Sequence, residues 1–123
     1  MKWNIDSERP VYIQLVEQIQ AGIISGFFKP GDKLPSVRDF AANAGVNPNT
    51  MQRALTELER NGLLYTNRTS GRYITSDLKM IKELKRQSAK DITVGFLEKM
   101  KQLGFKEEES LEIVINIVKE MKK

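Results

Sequence analysis

The chain has 123 residues, 40% apolar and 29% charged, with a net charge of +4, the proportions of one soluble domain or a small domain with an appendage. With no cysteine and no histidine, it cannot form disulfides or thiolate and imidazole metal sites, and it lacks the commonest general base. No run approaches the ~18 apolar residues of a membrane span, and the polar start, residues 1–9, lacks the pattern of a secretory signal, so a cytoplasmic protein without cofactor or metal is expected.

The first helix should begin near Pro10, which suits a first helical turn, with Asp6 and Ser7 as local caps. Tyr12, Leu15, Val16, Ile19 and Ile23 then make one apolar face, and Gly26 ends the helix. Phe27 to Asp32, containing Pro30-Gly31, reads as a turn-rich connection. Leu34 precedes a proline and so is extended. Ser36 can cap a second helix, with Asp39 in the place of a capping-box partner. Val37, Phe40, Ala41 and Ala44 are its inward face, and Gly45 stops it. Asn47 followed by Pro48 marks the start of a third helix by two independent signals. Met51, Ala54, Leu55 and Leu58 should face inward, and Gly62 should close the end in a left-handed conformation.

Two β-rich runs, 63–67 and 72–75, flank the polar tip Arg68-Thr69-Ser70-Gly71 and predict a hairpin. Residues 77–103 contain no proline and read as one long helix. Leu78, Ile81 and Leu84 form one apolar stripe, and Ala89, Ile92, Phe96, Met100 and Leu103 form another. Lys85 to Ser88 between them is polar all round and should cross solvent. Gly104 breaks the pattern. A last helix from about Lys106 has Glu107, Glu108 and Glu109 at its positive pole. The expected architecture is mainly α with a small β-hairpin. A winged helix-turn-helix domain, residues 1–76, is followed by a C-terminal two-helix dimerisation tail, residues 77–123.

Helix, helix, tight turn, helix, hairpin is the order of a DNA-reading helix-turn-helix with a wing. Bulk charge does not locate such a surface: lysines and arginines exceed acidic residues by nine to seven up to Ser76 and by eleven to nine after it. Local placement does. Asn49, Thr50, Gln52 and Arg53 lie off the apolar face of the third helix, where amide and guanidinium groups can pair with base edges. Asn47 and Thr50 sit at a helix N-terminus that can hold phosphate. Ser36 and Arg38 belong to the helix that crosses the backbone, and Arg68, Gly71 and Arg72 belong to the wing. Taken singly, these residues are ordinary caps, turn residues and solvated charges; their joint position on this topology favours duplex DNA. A winged helix can also bind proteins, a reading that negligible DNA affinity at low salt would favour. Without a histidine, a cysteine, a phosphate-cradling glycine loop or a credible carboxylate pair, an enzyme is disfavoured.

Three segments carry a family resemblance: Pro10-Val11-Tyr12-Ile13-Gln14, Pro30-Gly31-Asp32-Lys33-Leu34-Pro35-Ser36-Val37-Arg38, and the stretch from Asn47 through Leu63. Together they make the chain resemble GntR-family regulators of the YtrA-like branch, most strongly from Asp6 to Ser76. The resemblance implies a winged DNA-binding domain, a short helical dimerisation tail and a homodimer on a palindromic operator. It further implies repression of an ABC-transporter operon; separately, an unidentified small effector between the tails is a further expected partner. By position it implies that Arg38, Asn47, Asn49, Thr50 and Arg53 contact DNA and that Gly71 is the wing-tip glycine. Pro48 and Gln52 stand where many members have arginine, and the wing lacks a glycine and a lysine common in the family. The tail, residues 77–123, is too short to make a self-sufficient core. Its apolar positions Ile92, Phe96, Met100, Leu111, Val114, Ile115 and Val118 are therefore expected at a dimer interface.

Overall fold

The computed structural model describes residues 1–123. In chain order the elements are α1 (Val11–Ser25), α2 (Val37–Ala44), α3 (Pro48–Arg60), β1 (Leu64–Asn67), β2 (Gly71–Ile74), α4 (Leu78–Gln102) and α5 (Glu107–Met121). The chain forms two compact units, Met1–Glu83 and Leu84–Lys123. The division falls inside α4 rather than at residue 76, because the first turn of α4 belongs with the first unit. Met80 there lies against Gly62, so close that a Cβ on Gly62 would stand 3.1 Å from its Cε.

The core of the first unit is built where helical periodicity predicts. Leu15, Ile19 and Ile23 of α1, Phe40 and Ala41 of α2 and Met51, Ala54, Leu55 and Leu58 of α3 are all buried, with α1 and α2 each packed on α3. Leu34, Leu63, Leu64 and Ile74 close the side toward the hairpin. Val37 and Ala44 are only half-buried, as are Tyr12 and Val16.

The start of α1 differs from expectation. Pro10 occupies the cap position with no side-chain bond, and neither Asp6 nor Ser7 caps the helix. The Asp6 carboxylate instead accepts from the Glu8 N–H at 3.0 Å. The loop is held from within the helix by Gln14, a polar residue only 2% exposed. Its amide donates to the carbonyls of Asp6 and Arg9 at 2.9 and 2.8 Å and accepts from the Asp6 N–H at 3.0 Å. Both amide donors and the amide oxygen are thereby engaged, which offsets the cost of burying them. One turn on, Gln18 pairs in the same two-way manner with the backbone of Asn4. Trp3 packs edge-on against Phe40 at 5.3 Å and donates its indole N–H to Asn43 at 2.7 Å.

Strands β1 and β2 pair antiparallel from Leu64–Ile74 to Asn67–Gly71. The connection after α1 is more than a turn: Lys33 bridges to Tyr73, and backbone bonds join Leu34 to Arg72 and Ile74 to Asp32. This segment borders β2 on the side away from β1, so the hairpin is anchored along one edge rather than projecting as an isolated ribbon.

The second unit has no buried apolar side chain; Ser110 is its one buried residue. Helix α5 starts with three glutamates in its first turn, and the Lys106 N–H donates to Glu109 at 3.0 Å. Ile92 and Leu111 are 73% and 60% exposed. With Phe96, Leu97 and Val114 they line an open apolar depression between α4 and α5. Within the first unit, Leu78 is also exposed, whereas Ile81 of the same stripe is half-buried.

Candidate nucleic-acid interface

Helices α2 and α3 are joined by three residues. Gly45 ends α2 at φ +71°, a left-handed conformation that costs glycine little, and the Val46 N–H returns to the Ala41 carbonyl at 3.0 Å. Asn47 then caps α3, accepting from the Asn49 N–H at 2.8 Å, with Pro48 in the first turn. This cap takes one N–H that sequence reasoning left free for phosphate, while the Asn47 amide NH2 is not used in it. At α2, Ser36 caps in the same way, its hydroxyl accepting from the Asp39 N–H at 3.2 Å.

Because Met51, Ala54, Leu55 and Leu58 are buried, the opposite face of α3 presents Asn49, Gln52, Arg53 and Thr56 to solvent, with Thr50 at its margin. Gln52 donates weakly to Thr56 at 3.3 Å. Asn49, Thr50 and Arg53 meet Pro10, Val11 and Tyr12 of the α1 end in one shallow depression. The Arg53 guanidinium carbon lies 3.7 Å from the centre of the Tyr12 ring.

A second concavity lies between the α2 start and the hairpin. Ser36 lines it with Lys33, Thr66, Arg68, Gly71 and Arg72. Gly71 sits at φ +119°, and a Cβ there would stand 3.3 Å from Lys33 Cε, so the position suits glycine on two counts. At the tip, Asn67 accepts from both the backbone N–H and the hydroxyl of Thr69, an arrangement that fixes the turn.

The arginines of this unit fall into two groups. Arg9 pairs with Glu17 at 2.9 Å, Arg60 with Glu57 at 2.8 Å, and Arg72 with Glu59. Arg38, Arg53 and Arg68 are exposed and take part in no ion pair. Glu59 also accepts from the Thr66 hydroxyl, so one carboxylate on α3 holds both strands of the hairpin. Burial pushes the Glu59 carboxyl up, but the bonds from Thr66 and Arg72 and the charge of Arg72 outweigh it and leave it below the usual value.

The structure therefore gathers Asn49, Thr50 and Arg53 at the start of α3, and Ser36, Arg68, Gly71 and Arg72 around the hairpin groove. Arg38 and Gln52 stand exposed, and Asn47 is engaged as a cap. Sequence reasoning missed Tyr12, assigned to the core face, and also Lys33 and Glu59. A carboxylate at Glu59, on the polar side of α3 just before the hairpin, was the one local signal available for the last.

Residues 11–74 match the family described as bacterial regulatory proteins, gntR family. The chain is 42% identical over 109 residues to YhcF of Bacillus subtilis, an uncharacterised HTH-type transcriptional regulator, covering 89% of this chain and 90% of that protein. It is 45% identical over 73 residues to YtrA of the same organism, an HTH-type transcriptional repressor, covering 59% of this chain and 56% of that protein. Among solved structures, a GntR family transcriptional regulator from Listeria monocytogenes superposes with a TM-score of 0.86 at 39% identity, covering 91% of this chain and 98% of that one.

Proposed function

Since the chain belongs to the gntR family of bacterial regulatory proteins and is a DNA-binding transcriptional regulator, we propose that it acts in the cytoplasm as a homodimeric repressor on a palindromic operator. Helix α3 enters the major groove, with Asn49, Gln52 and Arg53 toward base edges. Ser36, Arg38, Asn47 and Thr50 hold the sugar-phosphate backbone. The hairpin meets the neighbouring backbone or minor groove through Arg68, with Gly71 allowing close approach. Arg72 enters differently: its charge is matched within the protein, so it holds the wing in place rather than neutralising phosphate.

One observation carries this reading. Of the arginines in the first unit, those left without a carboxylate are Arg38, Arg53 and Arg68, one each on α2, α3 and the hairpin tip. An arginine whose charge is already matched gains little from phosphate, whereas an unmatched one releases counterions on binding.

The dimer is supported by the second unit. Its exposed apolar side chains Ile92, Leu111, Val114, Ile115 and Val118, with the half-buried Phe96 and Met100, have no core of their own to enter. Burial against the same surface of a second copy would remove them from water. From the resemblance to the YtrA-like branch we further propose that the repressed operon encodes an ABC transporter; a small effector bound between the tails would release the repressor.

Selection of bound fragments from randomly sheared genomic duplex, across a salt series, tests the proposal. A palindromic site upstream of transporter genes, bound with steep salt dependence, is the expected result. Enrichment elsewhere would overturn the operon assignment. No enrichment from folded protein would overturn DNA reading by this surface in its effector-free form.

A further inference from the structure

We infer that Tyr12 is a positioning residue for Arg53: its ring carries the guanidinium and sets the direction from which that group meets DNA. The inference rests on the reading of Arg53 as a DNA contact.

Arg53 has a carboxylate within easy reach along its own helix, since Glu57 lies one turn further on and such spacing commonly pairs. That carboxylate is taken instead by Arg60, which donates to both its oxygens at 3.1 and 2.8 Å. The contact Arg53 does make is with the Tyr12 ring, at 3.7 Å from guanidinium carbon to ring centre. The two partners would have opposite consequences. A carboxylate binds guanidinium N–H groups edge-on and cancels the charge. A ring attracts the guanidinium through its face, leaving the N–H groups at the rim of the plane and the charge unmatched. A phosphate or a guanine edge needs those same donors.

Placement supports the same role. Tyr12 is half-buried in the first turn of α1, which packs on α3, so the ring is carried on an element anchored to the recognition helix. Arg53 is exposed, and Pro10, Val11, Asn49 and Thr50 complete the depression in which the pair lies. A long side chain loses rotamer freedom when it binds, and holding it in place beforehand reduces that loss. On this basis the ring should be worth about threefold to tenfold in operator affinity.

The test measures operator binding by the wild type, Tyr12→Phe, Tyr12→Leu, Arg53→Ala and Tyr12→Leu/Arg53→Ala. The probes are the duplex recovered by genomic selection and a scrambled duplex of equal length. Tyr12→Phe keeps the ring and should bind as the wild type. Tyr12→Leu should lose about threefold to tenfold on the selected duplex and little on the scrambled one. In the double variant, the Leu change should add nothing to the loss from Arg53→Ala. Additive losses, or a loss in Tyr12→Phe equal to that in Tyr12→Leu, would overturn the inference while leaving Arg53 a contact. No loss from Arg53→Ala would overturn the reading of Arg53 itself and the inference with it. Side-chain NMR of the free wild-type protein adds a readout that needs no variant. The Arg53 δ-methylene and ε protons should be shifted upfield by the ring current, and unshifted signals would overturn the inference.

Discussion

Glu59 is where a single truncation should separate the wing from the recognition helix. Its carboxylate accepts from Thr66 on β1 and from Arg72 on β2, so Glu59→Ala removes two charge-assisted bonds, one of them an ion pair, and the tie between them. The side chains of Arg72 and Glu59 are 18% and 29% exposed. The pair therefore lies between an exposed one, worth roughly 0.2–1 kcal/mol, and a fully buried one, whose breaking costs roughly 3–5 kcal/mol. Arg72 keeps partial access to water in the variant, which places the expected loss at about 1–2 kcal/mol. For a unit of this size that lowers the melting temperature by roughly 5–15 °C. Trp3 is the assay: it is the sole tryptophan and packs on Phe40, so its fluorescence reports on the first unit. Urea denaturation of Glu59→Ala, Arg72→Ala and the double variant gives the coupling, expected at about 1 kcal/mol. Losses that add within about 0.3 kcal/mol would refute the wing tie.

The same carboxylate sets a pH dependence. Its folded-state value lies below the ordinary one, so its contribution is present above the unfolded value of about 4.3 and is lost as pH falls through the folded one. Trp3-monitored stability should therefore fall on acidification through this range, and Glu59→Gln should flatten part of the slope. Arg38→Ala and Arg68→Ala should each reduce the salt-dependence slope of a dimer by about 2, one lost phosphate contact per protomer; Arg72→Ala should leave the slope nearly unchanged. Asn47→Ala should cost about 1 kcal/mol of stability, read by Trp3 unfolding. Asn47→Asp should retain the cap yet weaken DNA binding by setting a negative charge beside phosphate. Val114→Glu, on the exposed face of α5, should yield monomers in analytical ultracentrifugation and lower operator affinity while Trp3 unfolding stays as in the wild type.

Sequence alone determined the features whose causes lie within a few residues. Ser36 and the Asn47-Pro48 pair start helices because a side-chain acceptor satisfies a free N–H in the first turn. Gly45 ends α2 because φ +71° is cheap only without a Cβ. The buried face of α3 followed from helical periodicity, and its polar face, with Asn49, Gln52 and Arg53, followed as the complement. The hairpin was legible from its flanking β-rich runs and polar tip. What tertiary structure decided were pairings between residues far apart in the chain. Gln14 looks like a solvent residue until the loop before α1 folds back onto it. Lys33 looks like part of a turn until β2 lies beside it. Arg53 and Arg72 are equivalent cations in the sequence. Packing gives one an aromatic ring, leaving its charge unmatched, and the other a carboxylate that consumes it. No periodicity encodes that difference, because it arises only when α1 and the hairpin pack on α3.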